Sequence, residues 1–161
     1  MPDEGTGAFA PAWDRARYHL RGVSSLYVHV PFCRSKCAYC DFASSATRAD
    51  DPLPAAYARA IARQVREVGE TGLLNPCGTG YLGGGTPSLL GAALPPLVRA
   101  VAPHAQAELT FEANPDSLSP DLLGRVREAG ATRVSVGVQS TSAPELAALG
   151  RIHGPERALG A

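Results

Sequence analysis

YVHVPFCRSKCAYCDF, residues Tyr27–Phe42, gathers three of the chain's four cysteines, Cys33, Cys37 and Cys40, as C-x3-C-x2-C. Thiolates this close can share one inorganic centre, whereas a disulfide between any two leaves the third over, so a metal or cluster is the first expectation. Ligand number then separates the options. A structural zinc site takes four ligands, usually as two close pairs divided by a longer loop. An iron–sulfur cube has four iron corners, so three loop thiolates hold three of them and leave one iron open to an outside ligand. Zinc stands as the alternative, with His29 or Asp41 as the fourth ligand.

Around this loop the chain reads as a single domain. Its 161 residues suffice for one core and are too few for two domains of ordinary size. Lys+Arg 15 against Asp+Glu 15 gives a net charge of zero, which offers no electrostatic case for nucleic acid or an anionic membrane. Residues 1–24 read as a lead-in whose Trp13 and Tyr18 could dock on the body, and they have neither a signal-peptide nor an anchor pattern. No later run is long enough for a transmembrane segment. Three free thiolates suit a reducing, cytoplasmic setting.

The pattern outward from the loop is strand then helix, repeated. Ser25–Val30 alternates and ends at Pro31, which predicts a first strand with the cysteine loop at its C-terminal end, where ligands gather in parallel α/β architectures. Residues 54–70 place Tyr57, Ile61, Val65 and Val68 at helical spacing, with Gly72 as the stop. Residues 79–83 form a second strand that feeds GGGTPS. Thr86 then reads as the cap of a helix with Pro87 in its first position, and Pro95 and Pro96 must kink or split that helix. Leu90, Leu94, Leu97 and Val101 keep core-facing spacing throughout. Glu108–Glu112 alternates as a third strand, Asn114–Pro115 turns, and Ser119–Pro120 opens a helix closed by Gly130. Residues 132–138 form a fourth strand ending at Gln139, and Ser142 with Glu145 forms a capping box for a short helix that stops near Gly150. Four strand–helix units in succession imply an α/β fold with a parallel sheet and right-handed crossovers.

With Tyr39 directly ahead of the last cysteine, the loop resembles the cluster loop of the radical S-adenosylmethionine (SAM) superfamily. The flanking YVHVPFC and CDFAS resemble the oxygen-independent coproporphyrinogen III oxidase-like family within it. The resemblance implies a partial (β/α)6 TIM-like barrel, of which residues 25–161 hold about four units. It also implies a 4Fe-4S cluster on Cys33, Cys37 and Cys40, with the open iron chelated by the amino and carboxylate groups of SAM. An electron from the cluster would then cleave SAM to a deoxyadenosyl radical.

Each strand end carries a residue of interest. Gly83, Gly84 and Gly85 remove side chains where a backbone must approach a ligand, but such runs also serve ordinary strand-to-helix turns. The run is not G-x-G-x-x-G, which disfavours a dinucleotide site. Glu112 is a strand-mouth carboxylate, free to hold a ribose or ammonium group or simply to be solvated. Read without the family, Gln139 is a turn residue, Arg151 a surface charge, and Tyr27 and Tyr39 packing aromatics. The resemblance implies more. It lays Gly84, Gly85 and Thr86 against the methionyl group, makes Glu112 the acidic SAM contact, and sets Gln139, Arg151, Tyr27 and Tyr39 near SAM. Cys77 has no partner cysteine and reads as a plain thiol. His19 and His104 read as surface residues, whereas His29 and His153 adjoin matched motifs.

The departures point within the family. Coproporphyrinogen oxidases of this type carry a further cysteine two positions after the last cluster ligand, where this chain has Phe42. The CDF form resembles the haem-chaperone branch, whose partners are haem and an electron donor. The alternative is the oxidase itself, acting on a porphyrinogen. The resemblance covers roughly residues 25–157, without the family's later strands or its C-terminal His-Asn-x-x-Tyr-Trp haem signature, so a truncated, inactive chain is the third expectation.

Overall fold

The computed structural model describes residues 23–75 and 77–161. The lead-in up to Arg21 and Gly22, with Trp13, Tyr18 and His19, lies outside the described residues.

Four parallel strands form one sheet. β1 (Ser25–Val30), β4 (Thr79–Gly84), β5 (Glu108–Ala113) and β6 (Arg133–Val136) lie in sequence order, each paired with the next. Between β1 and β4 the chain makes a feature that periodicity did not reveal, a two-residue parallel pairing of β2 (Phe32–Cys33) with β3 (Ser45–Ala46). It folds the cysteine segment back on itself. The connections are α1 (Leu53–Glu70), a 3-10 turn (Pro87–Ala93) running into α2 (Leu94–Val101), and α3 (Pro120–Glu128); α4 (Ala143–Ala148) and α5 (Pro155–Leu159) follow β6. Among the described residues no helix is long and apolar enough to cross a membrane.

Local chemistry accounts for most boundaries. Asp51 Oδ1 accepts the Leu53 N–H at 2.8 Å to start α1, and Gly72 takes a φ of 72° just past its end, a conformation that glycine adopts freely. Ser119 Oγ accepts the Leu122 N–H at 3.2 Å as the cap of α3, and Gly130 has φ 113° after it. The segment is split as expected. A break at Gly91 (φ 53°) lies inside the 3-10 stretch, and a new helix, α2, starts at Leu94 with Pro95 in its first turn, where the missing N–H costs nothing.

Packing overrode four expectations. The buried ridge of α1 is Pro54, Ala58, Ala62 and Val65, while Tyr57, Ile61 and Val68 lie half-buried one residue round, because small side chains let the helix approach its neighbours closely. Thr86 makes no capping bond; its hydroxyl is used elsewhere. Ser142 makes none either. Glu145 accepts from Ser140 Oγ instead, and Ser140 Oγ accepts the Ser142 N–H. The fourth strand is shorter than 132–138, because Val138 N–H turns back to Val136 O at 3.0 Å and Gln139 adopts φ 67°.

The helices cover one face of the sheet, and that face is the core. Val28, Val30, Leu82, Leu109 and Phe111 pack there beneath Leu94, Leu97, Val98, Val101 and Val126. β5 has less alternation than expected, since Leu109, Thr110 and Phe111 are all buried. Thr110 is on the other face, where the register sets Tyr27, Tyr81, Thr110 and Arg133 abreast. Arg133 Nε donates to Thr110 Oγ1 at 2.9 Å, and the Thr110 hydroxyl donates to Glu108. The opposite face thus presents a row of hydrogen-bonded polar side chains. His104, expected on the surface, is half-buried, because its ring packs where a Cβ on Gly69 would sit, 2.7 Å from Cε1.

Candidate cluster and cofactor site

At the C-terminal ends of the strands is a cavity of about 320 Å3. Its lining brings Cys33, Cys37, Tyr39 and Cys40 together with Gly84, Gly85, Thr86, Glu112, Gln139 and Arg151. Residues from five separate stretches meet here because a parallel sheet delivers every strand's C-terminal end to the same side.

The cysteine loop is fastened at three places. Gly85 N–H donates to Val30 O at 2.8 Å and Thr86 N–H to Phe32 O at 2.7 Å, so the GGGTP segment runs beside it. A Cβ on Gly85 would lie 2.5 Å from the Phe32 carbonyl oxygen, and one on Gly84, which has φ 116°, would lie 2.5 Å from the His29 ring. These two glycines are required by close approach. Behind the loop, the Tyr57 hydroxyl donates to His29 O at 2.7 Å, and its ring meets Phe32 edge-on at 5.2 Å. His29 Nε2 lies 2.8 Å from Ala43 O and Nδ1 lies 3.0 Å from the Tyr27 hydroxyl. A carbonyl can only accept, so Nε2 carries the proton and Nδ1 accepts from Tyr27. With both nitrogens engaged, His29 is not disposed as a zinc ligand. From the far side, Ala38 N–H donates to Leu149 O at 3.1 Å.

Donors reach two of the sulfurs. Arg151 Nη1 points at Cys37 Sγ (3.3 Å), and the Thr86 hydroxyl at Cys33 Sγ (3.8 Å). Arg151 is therefore no free surface charge. Its Nη2 donates to Asn114 Oδ1 at 2.8 Å and Gly137 O at 2.7 Å, and its Nε is buried without a partner. Glu112 is neither unpaired nor merely solvated. Tyr81 OH donates to Oε1 at 2.8 Å and Gly84 N–H to Oε2 at 3.0 Å. Burial, reinforced by the neighbouring Glu112, pushes the Tyr81 phenol above its ordinary value. Burial and then Cys37 push Tyr39 up, with Arg151 opposing. Tyr39 and Phe42 are 51% and 62% exposed, so two apolar rings stand at the mouth.

Two candidate participants, Tyr27 and His153, fall elsewhere, and Cys77, read as a plain thiol, is also away from the cavity. Tyr27 does not line the cavity; it stacks on Tyr81 with ring centroids 6.2 Å apart. His153 is buried, its Nε2 3.1 Å from Val138 O, and so supports the strand end. Cys77 is buried, its thiol donates to Thr79 O at 3.3 Å, and burial raises its pKa. The sequence reading also passed over two residues. Asn114 was read only as part of a turn, although it stands two residues after Glu112, and Tyr81 carried no signal beyond its place in a strand.

The donor set suits an iron–sulfur cluster. The three thiols line one cavity, and two of their sulfurs receive hydrogen-bond donors. Hydrogen-bond donors to thiolate sulfur are what a negatively charged cluster needs.

Comparison with known proteins agrees with this site. Residues 27–161 match the family described as the Radical SAM superfamily, and the chain belongs to it. Among its relatives, the heme chaperone HemW of Escherichia coli K12 is 41% identical over 150 residues, covering 83% of this chain and 36% of the relative. HemW of Mycobacterium tuberculosis H37Rv is also 41% identical, over 143 residues, covering 84% and 36%. The oxygen-independent coproporphyrinogen III oxidase of Bradyrhizobium diazoefficiens is 35% identical over 140 residues, covering 83% and 31%. The solved coproporphyrinogen III oxidase HemN of Escherichia coli, a radical SAM enzyme, superposes with a TM-score of 0.74 at 27% identity, covering 90% of this chain and 34% of that one. This chain thus has the α/β parallel-sheet fold of a radical SAM barrel in part, and spans 36% of the length of the HemW relatives.

Proposed function

We propose that this chain supplies the 4Fe-4S- and SAM-binding core of a haem-chaperone-type protein. The observation that carries this is one cavity lined by Cys33, Cys37 and Cys40 and by the ends of three further strands. The three thiolates would hold the cluster, which when bound supplies the electron for SAM cleavage. Gly84, Gly85 and Thr86 offer a backbone without side chains for the methionyl part. Each Glu112 oxygen keeps a lone pair beyond its protein bond, suited to an ammonium or ribose hydroxyl. Gln139 and Arg151 offer donors to carboxylate and hydroxyl groups, and Tyr39 a ring face at the mouth. Tyr27 acts one step back, holding His29 and through it the carbonyl of Ala43. Haem delivery is supported by the HemW relatives and by Phe42, and SAM cleavage would require an electron donor to the cluster. A cytoplasmic setting accompanies this reading.

Anaerobic reconstitution with iron and sulfide tests it. A brown, SAM-responsive species is expected, abolished by Cys33→Ala, Cys37→Ala or Cys40→Ala and retained in Cys77→Ala. Dependence on Cys77, or one tetrahedral zinc without sulfide, would overturn the assignment. The second reading, an oxidase of coproporphyrinogen III, is favoured by the names of the Bradyrhizobium relative and of the solved neighbour. Formation of a decarboxylated porphyrinogen under reducing, SAM-replete conditions, by a form extended to the relatives' length, would select it.

A further inference from the structure

Asn114 joins the two donors that reach the cysteine sulfurs. Its Oδ1 accepts from Arg151 Nη2 at 2.8 Å, and its Nδ2 donates to Thr86 Oγ1 at 3.2 Å. The order of protons follows from chemistry alone. A guanidinium has only donors, so the amide oxygen must face Arg151 and the amide nitrogen must face Thr86. The Thr86 oxygen thereby accepts, and its own O–H is left to point at Cys33 Sγ. On the other arm, Nη2 is occupied by Asn114 and Gly137 O, which fixes the guanidinium plane and aims Nη1 at Cys37 Sγ.

Asn114 is itself held. Its N–H donates to Ser88 Oγ at 3.3 Å, and its backbone is extended (φ −102°, ψ 148°) ahead of Pro115, as a following proline favours. A Cβ on Gly137 would lie 3.1 Å from its Oδ1, so the glycine there leaves the amide the room it occupies.

We propose that Asn114 is a positioning residue for the cluster, aligning Thr86 and Arg151 as hydrogen-bond donors to the sulfurs of Cys33 and Cys37. This rests on the cluster reading above. Donors to the ligating sulfurs offset negative charge and favour the reduced cluster, raising its potential. One amide thus sets both donors, and no single-headed residue could replace it. Aspartate keeps the acceptor for Arg151 but lacks the donor, so the Thr86 hydroxyl turns toward the carboxylate and away from Cys33.

The test uses the reconstituted 161-residue chain, its cluster potential by redox titration, and pulsed EPR of the reduced cluster with 15N-labelled arginine. In the unmutated chain an arginine 15N coupling is expected. Asn114→Ala should shift the potential negative and abolish that coupling. The same substitution should have no further effect on potential in a Thr86→Val/Arg151→Met background. Asn114→Asp should keep the coupling and make a subsequent Thr86→Val silent. An unchanged potential and coupling in Asn114→Ala overturns the assignment while leaving the cluster reading intact. So does failure of Asn114→Ala to assemble a cluster that Thr86→Val/Arg151→Met still assembles. Should both fail to assemble, the Asn114→Asp arm decides. Absence of any cluster in the unmutated chain overturns the underlying reading, and this proposal with it.

Discussion

Replacing Gly85 with alanine isolates the joint between the cysteine loop and the GGGTP segment. The new Cβ would lie 2.5 Å from Phe32 O and 2.9 Å from Phe32 C and N. These are backbone atoms that no rotamer change can move, so the two segments must part by roughly 1 Å to restore ordinary contact. Overpacking of this kind costs about 1–3 kcal/mol. The parting also stretches the bonds from Gly85 N–H to Val30 O and from Thr86 N–H to Phe32 O, each worth about 0.5–1.5 kcal/mol net. Reduced freedom of the unfolded chain returns about 0.4–1 kcal/mol. The expected net loss is about 1–6 kcal/mol, read by urea unfolding followed by far-UV circular dichroism, together with poorer iron loading. Gly124→Ala in α3 is the control, since nothing lies within 4 Å of its Cβ position, and it should gain up to about 1 kcal/mol. A Gly85→Ala chain within about 0.5 kcal/mol of the unmutated one would refute the close-approach argument.

Ser119→Ala should lose about 1 kcal/mol in the same urea assay, because Ser119 Oγ caps α3, as N-cap deletions typically do. Ser142→Ala should stay within about 0.5 kcal/mol, since that side chain makes no capping bond. Stability should fall as the medium becomes alkaline. Tyr27, Tyr39, Tyr57, Tyr81 and Cys77 all have raised pKa values, with burial the largest cause in each. The folded state therefore holds protons that the unfolded state releases. Their contribution is complete below the unfolded pKa values and is lost as pH rises through them, near 9 for the thiol and 10 for the phenols, toward the higher folded values. Thermal melts from pH 7 to 11 should show this decline, and Tyr57→Phe should make it shallower. A melting temperature flat above pH 9 would contradict the assignment.

The sequence by itself determined whatever depends on neighbours along the chain. The bounds of β1, the length of α1, the Ser119 cap, the stops at Gly72 and Gly130 and the proline split before α2 were all legible, because period, cap and φ preference act within a few residues. The grouping of Cys33, Cys37 and Cys40 was legible for the same reason, since they fall within one loop. Only the tertiary structure decided which polar atoms meet. Thr86 and Ser142 carry good capping chemistry, yet one hydroxyl goes toward Cys33 and the other residue yields to Ser140, since a side chain offered a better-placed partner abandons its local one. Glu112 looked free until Tyr81, 31 residues earlier, and Gly84 were brought against it. Arg151 looked solvated until the fold set it on Cys37, 114 residues away. Asn114 gave no sign of its partners, because a short amide's contacts depend on four chain segments converging at the strand ends. Their convergence follows from sheet topology and packing, which no local pattern along the chain records.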